Sequence, residues 1–290
     1  MIKEKEIQAL IALLDDPDTE VFDTVTKSLL EHGGDAIPEL EKAWESTLNE
    51  KMQERIEVLI QRIQLNSTQV ELRSWLEGGA TDLLEGVFYI AKYQYPDLKI
   101  EPLNEEIEKI KKDVWLELNE KLTALEKVKI LNHILFDIYK FSRNRTNFYA
   151  PQNNYINTVL ETKKGNPISL SVIYILVSQR LEIPVYGVNL PRNFILVFMD
   201  ELRSEETRDK ELEEHILFYI NPYNKGAVLG KKEIDYFIMQ QKLKPQRSFY
   251  VPCTNVEIIQ RLILNLIFSY EKLGYPDKIK SFQELFKIVK

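Results

Sequence analysis

The strongest constraint on the fold is a run of apolar residues that follows the step Asn166-Pro167. Asn166 is a favourable N-cap, and Pro167 suits the first helical position, where its missing N–H would have had no partner. The next residues are apolar on most faces of a helix: Ile168, Leu170, Val172, Ile173, Ile175, Leu176 and Val177. Because such a helix has no polar face to turn to water, we predict a buried helix that begins within about two residues of Pro167 and ends near Leu181.

Three extended segments follow this helix, at residues 185–190, 194–198 and 216–220. They are rich in β-branched and aromatic residues, and turns or a charged loop at residues 200–214 separate them. We predict that they form antiparallel strands packed on the buried helix. A buried helix with a small antiparallel sheet is an α+β arrangement.

Residues before about position 140 show helical spacing of apolar positions, with no glycine-rich phosphate loop. The first helices are separated by the turn Asp15-Asp16-Pro17 and by Gly33-Gly34, after which Asp35 is the predicted N-cap of a third helix. This layout resembles one HEAT-type pair, so we predict a HEAT-like helical subdomain at 1–65 that caps the protein, because a solenoid needs about three repeats. Four further helices are predicted, at residues 52–63, 83–95, 103–118 and 124–139.

Charge and cysteine content argue against several classes of function. The formal net charge is −7 and the isoelectric point is near 5.3, which argues against a duplex nucleic-acid surface or an anionic membrane face. The lone Cys253 cannot form an intramolecular disulfide, and the three histidines are scattered, so we expect a reducing, cytoplasmic location and no metal or other cofactor. Residues 1–6 do not resemble a signal peptide, and no stretch approaches the roughly 18 apolar residues of a membrane span.

A longer stretch of the sequence resembles a known protein family. The run NNYINTVLETKKGNPISLSVIYILVSQRLEIPVYGVNLPRNFILVF, followed by YINPYNKGAVL, resembles the transglutaminase-like domain of the bacterial family of regulators of SirC expression. The resemblance is densest over residues 153–229 and implies a papain-type domain at 66–250. That family pairs the domain with tetratricopeptide helices, and residues 251–290 are similar to one such helical hairpin, for which packing is favoured over a peptide groove.

The resemblance also implies where a catalytic triad would lie. Transglutaminase-type chemistry needs a thiolate at a helix N-terminus, a histidine base and an orienting carboxylate. The family's Gly-Asn-Cys step is here Gly165-Asn166-Pro167, so Pro167 stands at the position of the nucleophile. Asn193 stands at the position of the histidine and Asn221 at that of the aspartate, in the steps Pro191-Arg192-Asn193-Phe194 and Asn221-Pro222-Tyr223.

Other residues could in principle replace the thiol. Ser169 lies just inside the predicted helix, but an unactivated serine is a poor nucleophile, and a hydroxyl satisfied by a backbone carbonyl is the favoured interpretation. His215 ends the charged loop and is expected to be solvated. Cys253 lies far along the chain and is expected to be a small buried or hinge residue.

These observations predict a non-catalytic, transglutaminase-like pseudoenzyme whose partner is a protein or peptide, with no nucleic acid and no membrane. The candidate binding residues are Asn154, Tyr155, Ser169, Asn193 and Asn221, whose uncharged groups suit hydrogen bonding to an amide. Two alternatives stay open. In the first alternative, the protein is a hydrolase or acyltransferase that uses a nucleophile such as Ser169. In the second, it is a purely structural scaffold that interacts through its helical ends.

Overall fold

The computed structural model describes residues 2–200 and 209–290. The charged loop predicted at 200–214 therefore lies largely outside the described residues. The helices are α1 (Ile2–Ala12), α2 (Thr19–His32), α3 (Ile37–Ser46), α4 (Glu50–Glu77), α5 (Leu83–Gln94), α6 (Ile100–Glu117), α7 (Ala124–Asn132), α8 (Ile156–Thr162), α9 (Pro167–Gln179), α10 (Lys231–Gln240), α11 (Asn255–Leu273) and α12 (Pro276–Val289). The strands are β1 (Ser142–Arg143), β2 (Lys164–Gly165), β3 (Val185–Val188), β4 (Ile195–Met199), β5 (Ile216–Asn221) and β6 (Ala227–Leu229).

The first three helices form a small core of their own with the first half of α4. Each helix contributes apolar residues from one face, as amphipathic helices do when they surround a shared core. The buried members are Ile7, Ile11, Leu14, Val25, Leu29, Ala36, Leu40, Ile56, Leu59 and Ile63. Asp35, the predicted cap of the third helix, instead lies within a 3₁₀ turn at Gly33–Ala36, and α3 begins directly after that turn.

Helix α4 is shared between this core and the main one. Its first half supplies Ile56, Leu59 and Ile63 to the small core, whereas Leu72 and Trp75 in its second half belong to the main core. The helix runs to Glu77, well beyond the predicted end at residue 63. A continuous helix is stiff, so it joins the two parts of the molecule without a flexible linker.

The buried helix α9 lies at the centre of the main core, and the residues from Ile168 to Ser178 are all buried. It begins at Pro167 and ends at Gln179, which confirms the predicted helix. Beside it lies a four-stranded sheet in the order β3-β4-β5-β6, with every neighbouring pair antiparallel. The α+β fold predicted from the sequence, with a largely helical first part, is confirmed.

The sheet packs against other elements on both of its faces. Leu196, Phe198 and Ile220 belong to the main core that surrounds α9. Ile195, Val197 and Tyr219, on the opposite face, pack with Ile234 and Ile238 of α10. Three features were not predicted from the sequence: α10, β6 and the short parallel pair β1-β2.

The last two helices form a hairpin. Gly274 connects α11 to α12 in the left-handed conformation that glycine adopts without strain (φ 76°). Leu262 and Leu266 of α11 and Phe282 and Leu285 of α12 are buried in the main core. In the part of the chain that is described, no helix is both long and apolar enough to cross a lipid bilayer.

Candidate functional site

The start of α9 is held by a buried hydrogen-bonded pair. The Asn166 side chain accepts a hydrogen bond from the Ser169 backbone N–H (3.0 Å), and the Ser169 hydroxyl accepts one from the Asn166 N–H (3.0 Å). Asn166 Nδ2 also donates to Asn154 Oδ1 (2.6 Å). Asn166 is 7% exposed and Ser169 3%, so these bonds form away from water. They fix the position of Pro167, the first residue of the helix.

The loop before α8 is held by asparagine side chains. Asn153 Nδ2 donates to the carbonyl oxygens of Asn147 (2.8 Å) and Phe148 (3.1 Å), and Asn144 Nδ2 donates to Asn153 Oδ1 (2.9 Å). The loop therefore has a defined path, and it presents the rings of Phe148 and Tyr149 at the surface, 49% and 45% exposed. The two rings meet edge to face, with centroids 5.2 Å apart.

The turn between β3 and β4 forms a second side of the site. Arg192 in this turn has a positive φ of 60°, an unfavourable conformation for a non-glycine residue. Two contacts hold the turn: Arg192 Nη1 donates to Gln241 Oε1 (2.8 Å), and Arg261 Nη2 of α11 donates to the Asn193 carbonyl oxygen (3.3 Å). Asn193 Oδ1 accepts from the Phe194 N–H (2.9 Å), which leaves the Asn193 amide nitrogen as a donor.

A cavity of about 350 Å³ lies between the start of α9, the two loops and α11. It is lined by Phe148, Tyr149, Asn166, Pro167, Ile168, Arg192, Asn193, Phe194, Arg261, Asn265, Phe268 and Ser269. These lining residues include no cysteine, histidine, lysine or carboxylate. The cavity thus combines aromatic rings, amides and two guanidinium groups.

The guanidinium of Arg261 is largely shielded from water. Its Nη1 donates to Asn189 Oδ1 (3.2 Å) and its Nη2 to the Asn193 carbonyl, and both acceptors are uncharged. Burial lowers the pKa of Arg261, and no nearby carboxylate opposes that effect. The positive charge of Arg261 is therefore stabilised only by hydrogen bonds to uncharged groups.

The cavity brings together two of the three positions matched to the triad. Pro167 and Asn193 both line it. Asn221 does not, and its side chain accepts a hydrogen bond from the Asn224 N–H (3.3 Å), capping the turn Pro222–Asn224. The nearest depression to that turn is a different one, lined by Arg143, Arg145, Tyr223, Lys225 and their neighbours.

The other candidate binding residues have buried polar groups that bond to the protein itself. Asn154 Nδ2 donates to the Pro151 carbonyl (3.3 Å), and the Tyr155 hydroxyl lies 2.9 Å from that of Tyr270. The Ser169 hydroxyl, besides accepting from Asn166, contacts the Asn166 carbonyl oxygen at 3.4 Å. None of the three side chains lines the cavity.

The remaining candidate nucleophile is Cys253, whose thiol has low reactivity. Burial, together with the neighbouring Glu257, raises the pKa of the Cys253 thiol to about 12. The sulphur packs beside Gly187 in β3, where an added Cβ would approach it to 3.2 Å. A thiol with so high a pKa is protonated at neutral pH and is a poor nucleophile. His215 precedes β5, and neither it nor Cys253 lines the cavity.

Several residues of the cavity were not predicted from the sequence. Phe148 and Tyr149 belong to the loop before α8, in which no cavity residue was predicted. Arg261, Asn265 and Phe268 lie on α11, and they follow the spacing i, i+4, i+7 that places side chains on one helical face. That spacing was a usable signal, but it cannot show which other element the face meets.

Comparison with known proteins shows which family this chain is similar to. A family model described as the transglutaminase-like superfamily matches residues 101–264, more than half of the chain. F-box only protein 21 of Mus musculus is 31% identical over 137 residues, which are 47% of this chain and 21% of that protein. A UPF0162 protein of Xylella fastidiosa (strain Temecula1 / ATCC 700964) is 35% identical over 152 residues, 52% of this chain and 50% of that protein. UPF0162 protein YchA of Escherichia coli (strain K12) is 22% identical over 184 residues, 62% of this chain and 64% of that protein.

The similarity is thus confined to part of each relative. The chain spans about a fifth of the F-box protein and about half of the Xylella protein. No solved structure matches the chain. The matched segment includes Phe148, Pro167, Asn193 and Arg261, so it supplies residues to every side of the cavity, and it ends within α11. The chain therefore belongs to the transglutaminase-like superfamily.

Proposed function

We propose that this protein is a non-catalytic member of the superfamily that binds a peptide segment of another protein in the cavity beside α9. The observation that carries the proposal is the composition of the cavity. At the place where the family's nucleophile and base would lie, the wall offers Pro167 and Asn193, and no lining group can exchange a proton readily near neutral pH.

The wall groups suit a peptide. Phe148, Tyr149 and Phe268 form a continuous aromatic edge, since the rings of Tyr149 and Phe268 are 5.7 Å apart. Aromatic rings bury large areas with little loss of side-chain freedom and are enriched at protein interfaces. The amides of Asn193 and Asn265 can hydrogen bond to peptide N–H and C=O groups, which orients a ligand without cleaving it.

The lack of a lining thiol, and of a base that could activate a lining hydroxyl such as that of Ser269, supports binding over turnover. Pro167 has neither a nucleophilic atom nor an N–H, so a carbonyl held there meets no attacking group. Ser169, the alternative nucleophile, is buried, and its hydroxyl is occupied by Asn166. We include in the proposal a regulatory role, as the resemblance to regulators of SirC expression implies. The hairpin α11–α12 is included as a single tetratricopeptide-like unit for which packing is favoured over a peptide groove.

The test measures binding and turnover on the same protein. A pool of fluorescently labelled hexapeptides should bind saturably, as followed by fluorescence anisotropy. Asn193→Ala should weaken binding by about 3- to 10-fold, because it removes a neutral hydrogen bond. Asn224→Ala, which removes an exposed amide outside the cavity, is the matched control and should leave binding unchanged.

Turnover is measured with generic peptide and glutaminyl substrates. We expect no amidase, protease or amine-transfer activity above background, because loss of nucleophile and base costs several orders of magnitude in rate. Activity that disappears in Ser169→Ala would overturn the proposal and favour the enzyme alternative. Absence of any saturable peptide binding would equally contradict it.

A further inference from the structure

The cavity has an unbalanced charge that separates Arg261 from other partly buried arginines. Arg180 contacts the carboxylate of Glu108 (3.2 Å), and Arg55 contacts that of Asp15 (3.8 Å). Arg261 forms no ion pair with a described carboxylate, and its bonds go to an amide oxygen and a backbone carbonyl. Arg192 adds a second positive charge to the same wall. An acidic protein with net charge −7 thus has a locally positive cavity.

We propose that Arg261 recognises the C-terminal carboxylate of a bound peptide. This inference rests on the proposed function and names the chemical group that the cavity takes. A guanidinium has five N–H donors, of which two bond to Asn189 and Asn193. Three N–H donors remain, one on each guanidinium nitrogen, and guanidinium donors match the oxygens of a carboxylate in planar geometry. An incoming carboxylate supplies the negative charge that the protein itself does not place there.

The rest of the cavity favours a chain end. Its volume of about 350 Å³ is at the lower end of the range for small-ligand sites, so it accommodates a few terminal residues more readily than a chain that passes through. The aromatic side chains and Ile168 would surround an apolar last side chain. The first turn of α9 lines the same cavity, and the positive end of its dipole favours a negative group.

The experiment compares two hexapeptide pools that differ only at the end of the chain. Both have five varied positions without Asp or Glu, followed by a terminal Leu or Phe. One pool ends in a free carboxylate and the other in a carboxamide. Dissociation constants are measured by fluorescence anisotropy for the unmodified protein, Arg261→Gln, Arg261→Lys and Arg73→Gln, an exposed arginine outside the cavity.

We expect the carboxylate pool to bind the unmodified protein at least about tenfold more tightly, as a charge-assisted hydrogen bond implies. In Arg261→Gln this ratio should fall towards one, while binding of the carboxamide pool changes by no more than about twofold, the change expected when a neutral donor replaces the guanidinium. Arg261→Lys should keep part of the preference, because it keeps the charge but loses the fork. Arg73→Gln should leave the ratio unchanged.

The ratio separates recognition from a purely structural role of Arg261 in holding the β3–β4 turn, since loosening the turn would weaken both pools alike. Equal binding of the two pools by the unmodified protein, or a preference that survives Arg261→Gln, would overturn the inference and leave peptide binding intact.

A third pool, with carboxamide ends and one internal Glu, tests the source of the carboxylate. Tight binding of that pool would overturn the assignment to a chain end. Failure of all pools to bind would overturn the proposed function and this inference together.

Discussion

Helices α7 and α9 begin with the same reciprocal hydrogen-bond pattern, built from different residues. At α7, Thr123 and Glu126 are exposed and cap each other, with Glu126 Oε2 accepting from the Thr123 N–H (2.8 Å). At α9, Asn166 and Ser169 do the same while buried. The exposed start uses a carboxylate, whereas the buried start beside the cavity uses two uncharged side chains.

The difference follows from the cost of burying a charge. A carboxylate in water keeps its hydration while it caps a helix, but a buried one must be paired with a cation. The neutral pair at α9 avoids that cost, and each of its polar groups then has to find a partner within the protein. The starts of the two helices should therefore respond differently to the same kinds of substitution.

The largest effect is expected at the buried cap. Asn166→Ala removes the acceptor of the Ser169 N–H and the donor to Asn154 Oδ1, and leaves both groups buried. We expect the free energy of unfolding to fall by about 2–4 kcal/mol, measured by urea denaturation. A loss smaller than that of Thr123→Ala would show that burial does not strengthen the pair.

The second largest effect concerns the other member of the buried pair. Ser169→Ala leaves the Asn166 N–H without its acceptor and should cost about 1–2 kcal/mol in unfolding free energy. Ser171→Ala is the matched control, because the Ser171 hydroxyl is also buried but only donates to the Pro167 carbonyl (2.8 Å), so its removal strands no N–H. Equal costs for the two variants would argue against a specific role of the Ser169 acceptor.

The exposed cap should be weaker. Thr123→Ala removes the acceptor of the Glu126 N–H, which water can replace at the surface. We expect a loss of about 1 kcal/mol, and the same denaturation experiment compares it directly with Asn166→Ala. If Thr123→Ala lowered the free energy of unfolding more than Asn166→Ala does, the expected difference between the exposed and the buried cap would be contradicted.

The smallest expected effect is a dependence of stability on pH. The exposed start of α7 should show it, and the buried start of α9 should not. Hydrogen bonds from the Thr123 backbone and side chain lower the pKa of Glu126 below its ordinary value of 4.5. The carboxylate therefore stabilises the folded state fully above pH 4.5, and this contribution disappears as the pH falls through the lowered pKa.

The measurement compares unfolding of the unmodified protein and of Glu126→Gln between pH 3 and 7, where the difference in stability should shrink towards low pH. The same comparison with Asn166→Ala should show no such trend, because neither Asn166 nor Ser169 titrates. A pH trend at Asn166 would mean that another ionisable group acts on the start of α9.

The start of α9 could be predicted because its signals are local. Asn166, Pro167 and the apolar run lie within a dozen residues and agree with one another. The end of α4 was missed because polar residues interrupt the pattern after Ile63, and one of the buried positions beyond it is Thr68. Helix α10 was missed because Ile234 and Ile238 are its only fully buried residues.

Long-range contacts account for the other differences. Residues 124–139 were predicted as one helix, but α7 ends at Asn132 and continues as a π-helical segment, His133–Ile138. Asn132 Nδ2 donates to the Gly226 carbonyl (2.8 Å), a partner 94 positions away that no local pattern reveals. The cavity is a similar case, since local motifs placed Pro167 and Asn193, whereas Arg261 joins them only through the packing of α11.

The walls of the cavity come from distant parts of the chain, which has a consequence for the order of folding during synthesis. The small core is complete once Ile63 has been made, but the cavity lacks a wall until Ser269 has followed. At the usual ~5–20 residues per second, the intervening stretch takes roughly 10–40 s to translate. In the part of that time that follows the synthesis of Tyr149, its ring still lacks its partner Phe268, so a nascent chain with a folded N-terminal part does not yet have the complete cavity.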